Sequence, residues 1–339
     1  MSIKNRSLVI FILGLLSALG PFSIDMYLPG FPSIAADLHS SVDKVAYSLS
    51  SFFIGVCTGQ LICGPLLDRF GRKKPLYFGL IIYILASLGC SMSTNVETLI
   101  LFRFVQALGG CVAMIAPSAI VRDLFPLNEI AKVFSLLILI LGVSPILAPS
   151  VGSYLITIFG WNLVFVILAG IALILLLAVI FFLPETKQHD NSISLKPAQI
   201  LSGYASVIKN PQFFTYAFGG AIAAAGLFAY LAGSPIVFMQ IYKVTEQQYG
   251  WIFGLVAAGL ITCSQFNNVL LKKYDSAQIM KVVLRIQATL GVILFAGCVF
   301  DLLNLYTTIL LIFLFLSCQG FSFPNSSALS LAPFDKEAG

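Results

Sequence analysis

Long stretches without a single Asp, Glu, Lys or Arg alternate with short charged clusters along this chain. Residues 7–24, 45–67, 75–96, 133–184, 210–242, 247–271, 286–300 and 302–334 carry no such group, and 98–121 carries only Arg103. A charge at the centre of a lipid-embedded helix costs about 2.5–3.5 kcal/mol on insertion scales, so charges collect in the loops and the windows mark the spans. The 133–184 window is too long for one crossing and divides at Phe159-Gly160-Trp161-Asn162. The pattern predicts ten helices, near 8–29, 45–67, 75–93, 98–119, 132–156, 162–183, 211–236, 249–271, 279–300 and 305–326.

Composition agrees with an all-α polytopic membrane protein. Of 339 residues, 59% are apolar and only 10% charged, against about 25% charged in an average soluble protein. A nucleic-acid-binding protein, a soluble enzyme and a disordered chain are all excluded. The net charge of +5 then reflects topology and not an acidic partner. With the N-terminus inside, Lys4, Arg6, the Arg69 to Lys74 cluster, Arg122, Lys132, Lys187, Lys196, Lys209, Lys272, Lys273, Lys281 and Lys336 fall on the cytoplasmic side, against Lys44 and Lys243 outside. That bias places both ends of this chain in the cytoplasm. Lys4 and Arg6 precede an apolar stretch, as in a signal peptide, but no small-x-small cleavage site closes it, so it reads as a span.

All seven cysteines lie inside predicted helices with no Cys-x-x-Cys pair, and His39 and His189 stand in different loops. They read as free thiols and unpartnered imidazoles, giving metal chemistry no foothold. A catalytic nucleophile, base and metal set is likewise missing, so no enzymatic activity is expected.

The chain repeats itself. Tyr27-Leu28-Pro29-Gly30-Phe31-Pro32 returns as Tyr230-Leu231-Ala232-Gly233-Ser234-Pro235, each followed by a Tyr (Tyr47, Tyr249) near the next helix and by a Leu-Leu pair before an inner charged turn, Leu66-Leu67-Asp68-Arg69-Phe70 and Leu270-Leu271-Lys272-Lys273-Tyr274. Several matches in one order argue for duplication. The reading is a six-helix bundle over 1–184, a polar cytoplasmic linker over 185–209 that includes Asn191 and Ser192, and a partial second bundle of four helices over 210–339. A complete second copy would add two spans beyond Gly339, so the sequence is expected to be a fragment or a shortened relative.

Two charges occupy predicted spans. Asp25 stands about 26 Å up helix 1 and Arg103 about 7 Å below the outer surface in helix 4, at similar depth. An acid and a guanidinium in an apolar region usually pair. Burial disfavours the carboxylate and a neighbouring guanidinium favours it, which makes such a group suited to trading a proton for a substrate. The alternative is that Asp25 merely caps the helix end or snorkels to the interface. Pro21, one turn below, permits a bend and frees a carbonyl near the acid. Gln106 and the small Gly109-Gly110 suggest a packed, polar-lined face around Arg103.

The turn Gly64-Pro65-Leu66-Leu67-Asp68-Arg69-Phe70-Gly71-Arg72-Lys73-Lys74 is more specific than a solvated basic loop. Gly71 permits a tight turn, and Asp68 is placed to accept from free N–H groups at a helix start. It resembles the signature loop of the major facilitator superfamily. Leu99-x3-Arg103-Phe104-Val105-Gln106-Ala107-Leu108-Gly109-Gly110 resembles that family's helix 4 motif, and Ser144-Pro145-Ile146-Leu147-Ala148-Pro149-Ser150-Val151-Gly152-Ser153 its antiporter motif, with Ala148 and Ser153 in place of two glycines. Asp25-Met26-Tyr27-Leu28-Pro29-Gly30-Phe31-Pro32, Val121-Arg122-Asp123-Leu124-Phe125, Gly233-Ser234-Pro235 and Phe323-Pro324-Asn325 resemble the bicyclomycin-resistance branch of drug/proton antiporters.

The resemblance implies a major facilitator fold in the bacterial inner membrane. It implies an antiporter that expels drugs or other small amphipathic compounds on the proton gradient, as a monomer and without a cofactor. Asp25 and Arg103 would couple protons. Gly64, Asp68, Arg69, Gly71, Arg72 and Lys73 would form the cytoplasmic gate, and Pro145, Ala148, Pro149 and Gly152 the antiporter motif. Tyr27, Gln106, Tyr154, Phe228 and Tyr230 are candidates for the substrate cavity. Two departures stand out: relatives carry Arg where Ser118 and Asn162 stand, and Asp68 would brace an eleventh helix that the sequence lacks, leaving it without its expected partner. A facilitator of another solute (a sugar, an amino-acid derivative or a siderophore) and a non-transporting truncated relative remain the alternatives.

Overall fold

The computed structural model describes residues 6–190 and 195–334. Lys4, Asn191, Ser192 and Lys336 lie outside the described residues, as do the side chains at 127, 128, 130–132, 135, 138, 139 and 146, among them Lys132 and Ile146. The described chain is helical: α1 (Arg6–Asp25), α2 (Phe31–Asp37), α3 (Val42–Phe70), α4 (Lys73–Ser91), α5 (Val96–Leu124), α6 (Leu127–Phe159), α7 (Asn162–Phe182), α8 (Pro197–Ile208), α9 (Pro211–Pro235), α10 (Glu246–Leu270), α11 (Ser276–Val299) and α12 (Leu305–Leu331). Ten helices among the described residues are long and apolar enough to cross a membrane, the number that the charge-free windows predict.

The ends are set by local chemistry. Ser41, Asn95, Asp275 and Asn304 each accept from the backbone N–H three residues on and cap α3, α5, α11 and α12. Gly71 and Gly160, at φ +84° in both cases, close α3 and α6. Helix 1 was expected to run to residue 29, and it ends at Asp25. Proline 29 explains this, since its ring would meet the carbonyl four residues earlier, that of Asp25. A 3-10 turn, Leu28–Gly30, then leads into α2. The second copy of that motif also leaves α geometry, through a π turn over Ile236–Ile241 after Pro235. Within the expected linker the chain forms α8.

The chain divides into two compact units, residues 1–196 with 245–250, and 197–244 with 251–339. In the first, α5 packs on α3 and α4, α4 on α7, and α1 against α5, α6 and α7. In the second, α12 packs on α9 and α11. Small residues set the closest approaches: a Cβ on Gly55 would fall 2.6 Å from the Phe104 carbonyl oxygen, and one on Gly79 would fall 2.7 Å from that of Gly109.

Candidate functional site

Arg103 lies two turns into α5 and is entirely buried in the first unit. Its Nη1 donates to Gln106 Oε1 at 2.6 Å and its Nη2 to the Ser23 carbonyl at 3.0 Å. That carbonyl belongs to the last turn of α1, where helical donors have run out, so the guanidinium caps a negative helix end. The Arg103 Cζ stands 4.3 Å from the ring centres of both Tyr27 and Phe52, and 5.6 Å from that of Phe165. A cation held between aromatic faces is stabilised without a carboxylate. The hydrogen bonds continue outward. Gln106 Nε2 donates to Ser87 Oγ at 2.7 Å, Ser87 Oγ to the Tyr83 carbonyl at 2.7 Å, and the Tyr83 hydroxyl meets Ser23 Oγ at 2.5 Å. The Tyr27 hydroxyl meets Ser48 Oγ on α3 at 3.0 Å.

Asp25, the final residue of α1, is buried too, at 4% exposure. The expected depth match holds, because Arg103 touches the carbonyl two residues before it. The expected pairing does not: no ion pair joins Asp25 to Arg103, and no hydrogen bond from the described residues reaches its carboxylate. The guanidinium is held instead by a side-chain amide, a helix-end carbonyl and three rings, and its buried Nε has no hydrogen-bond partner among the described residues. Pro21 lies within a continuous α1. The carbonyl it deprives of a partner is that of Ser17, four residues earlier and two turns from the acid. The carbonyl used near Asp25 is that of Ser23, released by the helix end.

The proline-rich helix α6 meets the chain at the break after Asp25. A Cβ on Gly152 would collide with the Met26 backbone, so glycine alone allows this approach. Ala148 and Pro149 are buried one turn earlier, with Pro145 beyond them. The expected antiporter motif therefore touches the chain next to Asp25.

At the other end of the first unit the signature turn is a closed charge network. Asp68 accepts from Arg72 Nη1 at 3.0 Å and from Lys187 Nζ at 2.9 Å, so it has partners, supplied by its own turn and by the segment after α7. Arg72 also donates to Asp123 of α5, Nε to Oδ2 at 2.8 Å and Nη2 to Oδ1 at 3.3 Å. Burial lowers the Arg72 proton affinity, but its bonds to Asp123 and Asp68 outweigh that and hold its pKa above the ordinary arginine value. Capping of α4 falls not to Asp68 but to Glu185, which accepts from the backbone N–H groups of Arg72 at 2.8 Å and Lys73 at 3.1 Å. A Cβ on Gly71 would lie 2.6 Å from the Lys187 carbonyl oxygen, whereas one on Gly64 would meet nothing within 4 Å. Lys73 donates to the Ile180 carbonyl at 3.2 Å, and Arg69 stands over Phe70. The segment covering the turn adds a bond from Asp190 N to the Arg69 carbonyl and a stack of His189 on Phe70, so His189 is not unpartnered.

Of the cavity candidates, Tyr27 and Gln106 form the walls of the Arg103 box, Tyr154 and Phe228 are exposed, and the Tyr230 ring packs on Phe253 of α10 at 5.7 Å. Asn162, in the place of an expected Arg, donates to the Ser91 carbonyl at 2.7 Å, while Ser118 is exposed. The sequence reading missed Glu185, Lys187 and Phe52. Glu185 and Lys187 follow Pro184 on the same side as the signature turn, a signal that side-by-side loops share charges; nothing in the sequence marks Phe52 among 29 phenylalanines.

A family model described as Major Facilitator Superfamily matches residues 12–339. The bicyclomycin resistance protein homolog of Haemophilus influenzae is 33% identical over 299 residues, which are 88% of this chain and 75% of that protein. The uncharacterised MFS-type transporter YdgK of Bacillus subtilis is 37% identical over 263 residues, 77% of this chain, and the match spans just under two thirds (65%) of that relative's length. Among solved structures, a nucleoside transporter NupG variant superposes with a TM-score of 0.74 over 97% of this chain and 84% of its own, at 15% identity, which speaks for the fold alone. With these matches over a ten-span helical chain, the protein belongs to the Major Facilitator Superfamily of membrane transporters.

Proposed function

We propose that this chain is a proton-coupled antiporter that exports drugs or other small amphipathic compounds across the bacterial inner membrane, with Asp25 carrying the proton. The observation that supports this most is the acid itself, buried at a helix break with no ion pair to its carboxylate among the described residues. A carboxylate in such a place is costly, so gaining or losing a proton is the cheapest way for the site to change charge. Arg103 acts as a positioning group. Its work is to hold the end of α1 through the Ser23 carbonyl and to pin Tyr27, so the acid returns to one geometry in each cycle. Gly152 on α6 rests on Met26, and in this reading a change in charge at Asp25 reaches the antiporter motif of Pro145, Ala148, Pro149 and Gly152 through that contact. No resident cofactor enters this reading; the proton gradient supplies the energy, and the working unit is a monomer.

In this reading 1–184 is the first six-helix bundle, 185–209 the cytoplasmic linker and 210–339 the part of the second bundle contained in this chain. Both ends of this chain then face the cytoplasm. Gly64, Asp68, Arg69, Gly71, Arg72 and Lys73 form the gate on that side. Tyr154, Phe228 and Tyr230 offer aromatic surface to an amphipathic substrate, while Tyr27 and Gln106 act through Arg103. The name of the Haemophilus relative points to antibiotics as the compound class.

The test is Asp25→Asn in proteoliposomes under an imposed pH gradient, across a panel of antibiotics. The variant is expected to keep the thermal midpoint of the parent and lose gradient-driven export. Undiminished export would remove Asp25 from the mechanism.

A further inference from the structure

An apolar groove of about 440 Å³ opens on the first unit between α3, α4 and α5, within the usual range of small-ligand sites. Its walls include Ile62, Cys63, Leu66, Phe78 and Val112, and Lys74 contributes the one charge in the lining. Phe78 and Ile62 are more than half exposed, so the groove faces outward from the helices. From Lys74 it follows α4 to Ile82, eight residues or about 12 Å along the helix.

Lys74 is the first exposed residue of α4, next to the start of a helix long and apolar enough to cross a membrane, where an ammonium meets lipid headgroups. Its neighbours are occupied, Arg72 by Asp123 and Asp68, and Lys73 by the Ile180 carbonyl. Lys74 has no hydrogen-bond or ion-pair partner among the described residues. Around it the turn keeps a small excess of positive charge, with Arg69, Arg72, Lys73, Lys74 and Lys187 against Asp68, Asp123, Glu185 and Asp190. An apolar slot one helical stretch deep, ending in a free ammonium at the membrane surface, matches an acyl chain joined to an anionic headgroup.

We infer that this groove is a binding site for an anionic phospholipid of the leaflet that faces the signature turn, with its phosphate on Lys74 and one acyl chain along Ile62, Phe78 and Val112. Bound there, the lipid bridges α3 and α4 beside the gate. That the leaflet is the cytoplasmic one rests on the orientation proposed above. Lipid retention is read without transport, so failure of either reading leaves the other standing.

Native mass spectrometry tests this on the full chain, released from nanodiscs of equal phosphatidylglycerol and phosphatidylcholine. The parent is expected to retain phosphatidylglycerol over phosphatidylcholine, and Lys74→Gln to reduce that preference about fivefold, the weight of one lysine at an anionic surface. Lys272→Gln, at an exposed base of the second unit, is expected to leave the preference unchanged. Ile62→Trp, which fills the groove from an exposed position, is expected to reduce phosphatidylglycerol retention at an unchanged thermal midpoint. Equal retention of the two lipids by the parent would overturn the site. So would a preference that survives both Lys74→Gln and Ile62→Trp, or oleate displacing phosphatidylglycerol at equal concentration.

Discussion

The two units of this protein share a plan and differ in what they bury. Both copies of the proline motif leave α geometry, the first at Leu28–Gly30 just after Tyr27 and the second at Ile236–Ile241 beyond Tyr230; the Tyr27 hydroxyl meets Ser48 of α3, and the Tyr230 ring packs on Phe253 of α10. The offset that maps Tyr27 onto Tyr230 maps Asp25 onto Phe228. Among the described residues the buried charges, Asp25, Arg72 and Arg103, all lie in the first unit, whereas the second buries neutral amides such as Gln287, Gln319, Asn267 and Asn325. Asn325 Nδ2 donates to Asn267 Oδ1 at 2.7 Å, and Gln287 Nε2 to the Ala223 carbonyl at 3.2 Å. The two units carry the same motif at this offset, and among the described residues the buried ionic chemistry stands in the first. Both kinds of group are only partly satisfied among the described residues, Arg103 lacking a partner at Nε and Gln287, Gln319 and Asn325 at their amide oxygens, but losing the remaining partners costs more for a buried charge than for a buried amide.

The largest expected effect separates those two kinds of polarity. Arg103→Ala removes two charge-assisted bonds and the filling between Tyr27 and Phe52, and should cost roughly 3–5 kcal/mol of stability. Gln287→Leu should cost about 1 kcal/mol or less. Unfolding of the purified protein in mixed micelles measures both, and equal losses would erase the distinction between the units.

A smaller effect probes the contact that ties α6 to the helix break. Gly152→Val places side-chain atoms where the Met26 backbone stands and should cost about 1–3 kcal/mol. Export should fall further than stability, read as transport per folded molecule in proteoliposomes. Normal export at a lowered thermal midpoint would leave Gly152 a packing residue only.

The smallest effect divides the two glycines of the signature turn. Gly71→Ala puts a side chain at φ +84° against the Lys187 carbonyl, and should destabilise by about 1–2 kcal/mol. Gly64→Ala, inside α3 with open space around it, should be neutral or stabilise by up to about 1 kcal/mol. Thermal midpoints of the two variants should move in opposite directions.

Much of the fold was legible because insertion is priced window by window. The ten spans, the duplicated proline motif and the place of the signature turn follow from charge, hydropathy and order along the chain. Helix 1 ends before the residue 29 that its apolar window predicts, because Pro29 acts backwards on Asp25, four residues before it. Glu185 was missed because it caps a helix more than a hundred residues earlier in the chain, while Asp68, the nearer acid, was already taken by Arg72 and Lys187.

What the amino-acid order determined by itself was that two ionisable groups lie at one depth in a helical membrane protein, since depth is a count of residues along each helix. Which groups meet was decided only by the tertiary structure. Arg103 gathers Ser23, Tyr27, Phe52, Gln106 and Phe165 from four helices and the turn after α1, and leaves the Asp25 carboxylate, two residues from Ser23, without an ion pair among the described residues. That choice depends on how each helix is rotated about its own axis and how closely its glycines let it approach, which packing of the whole unit sets and no single window contains.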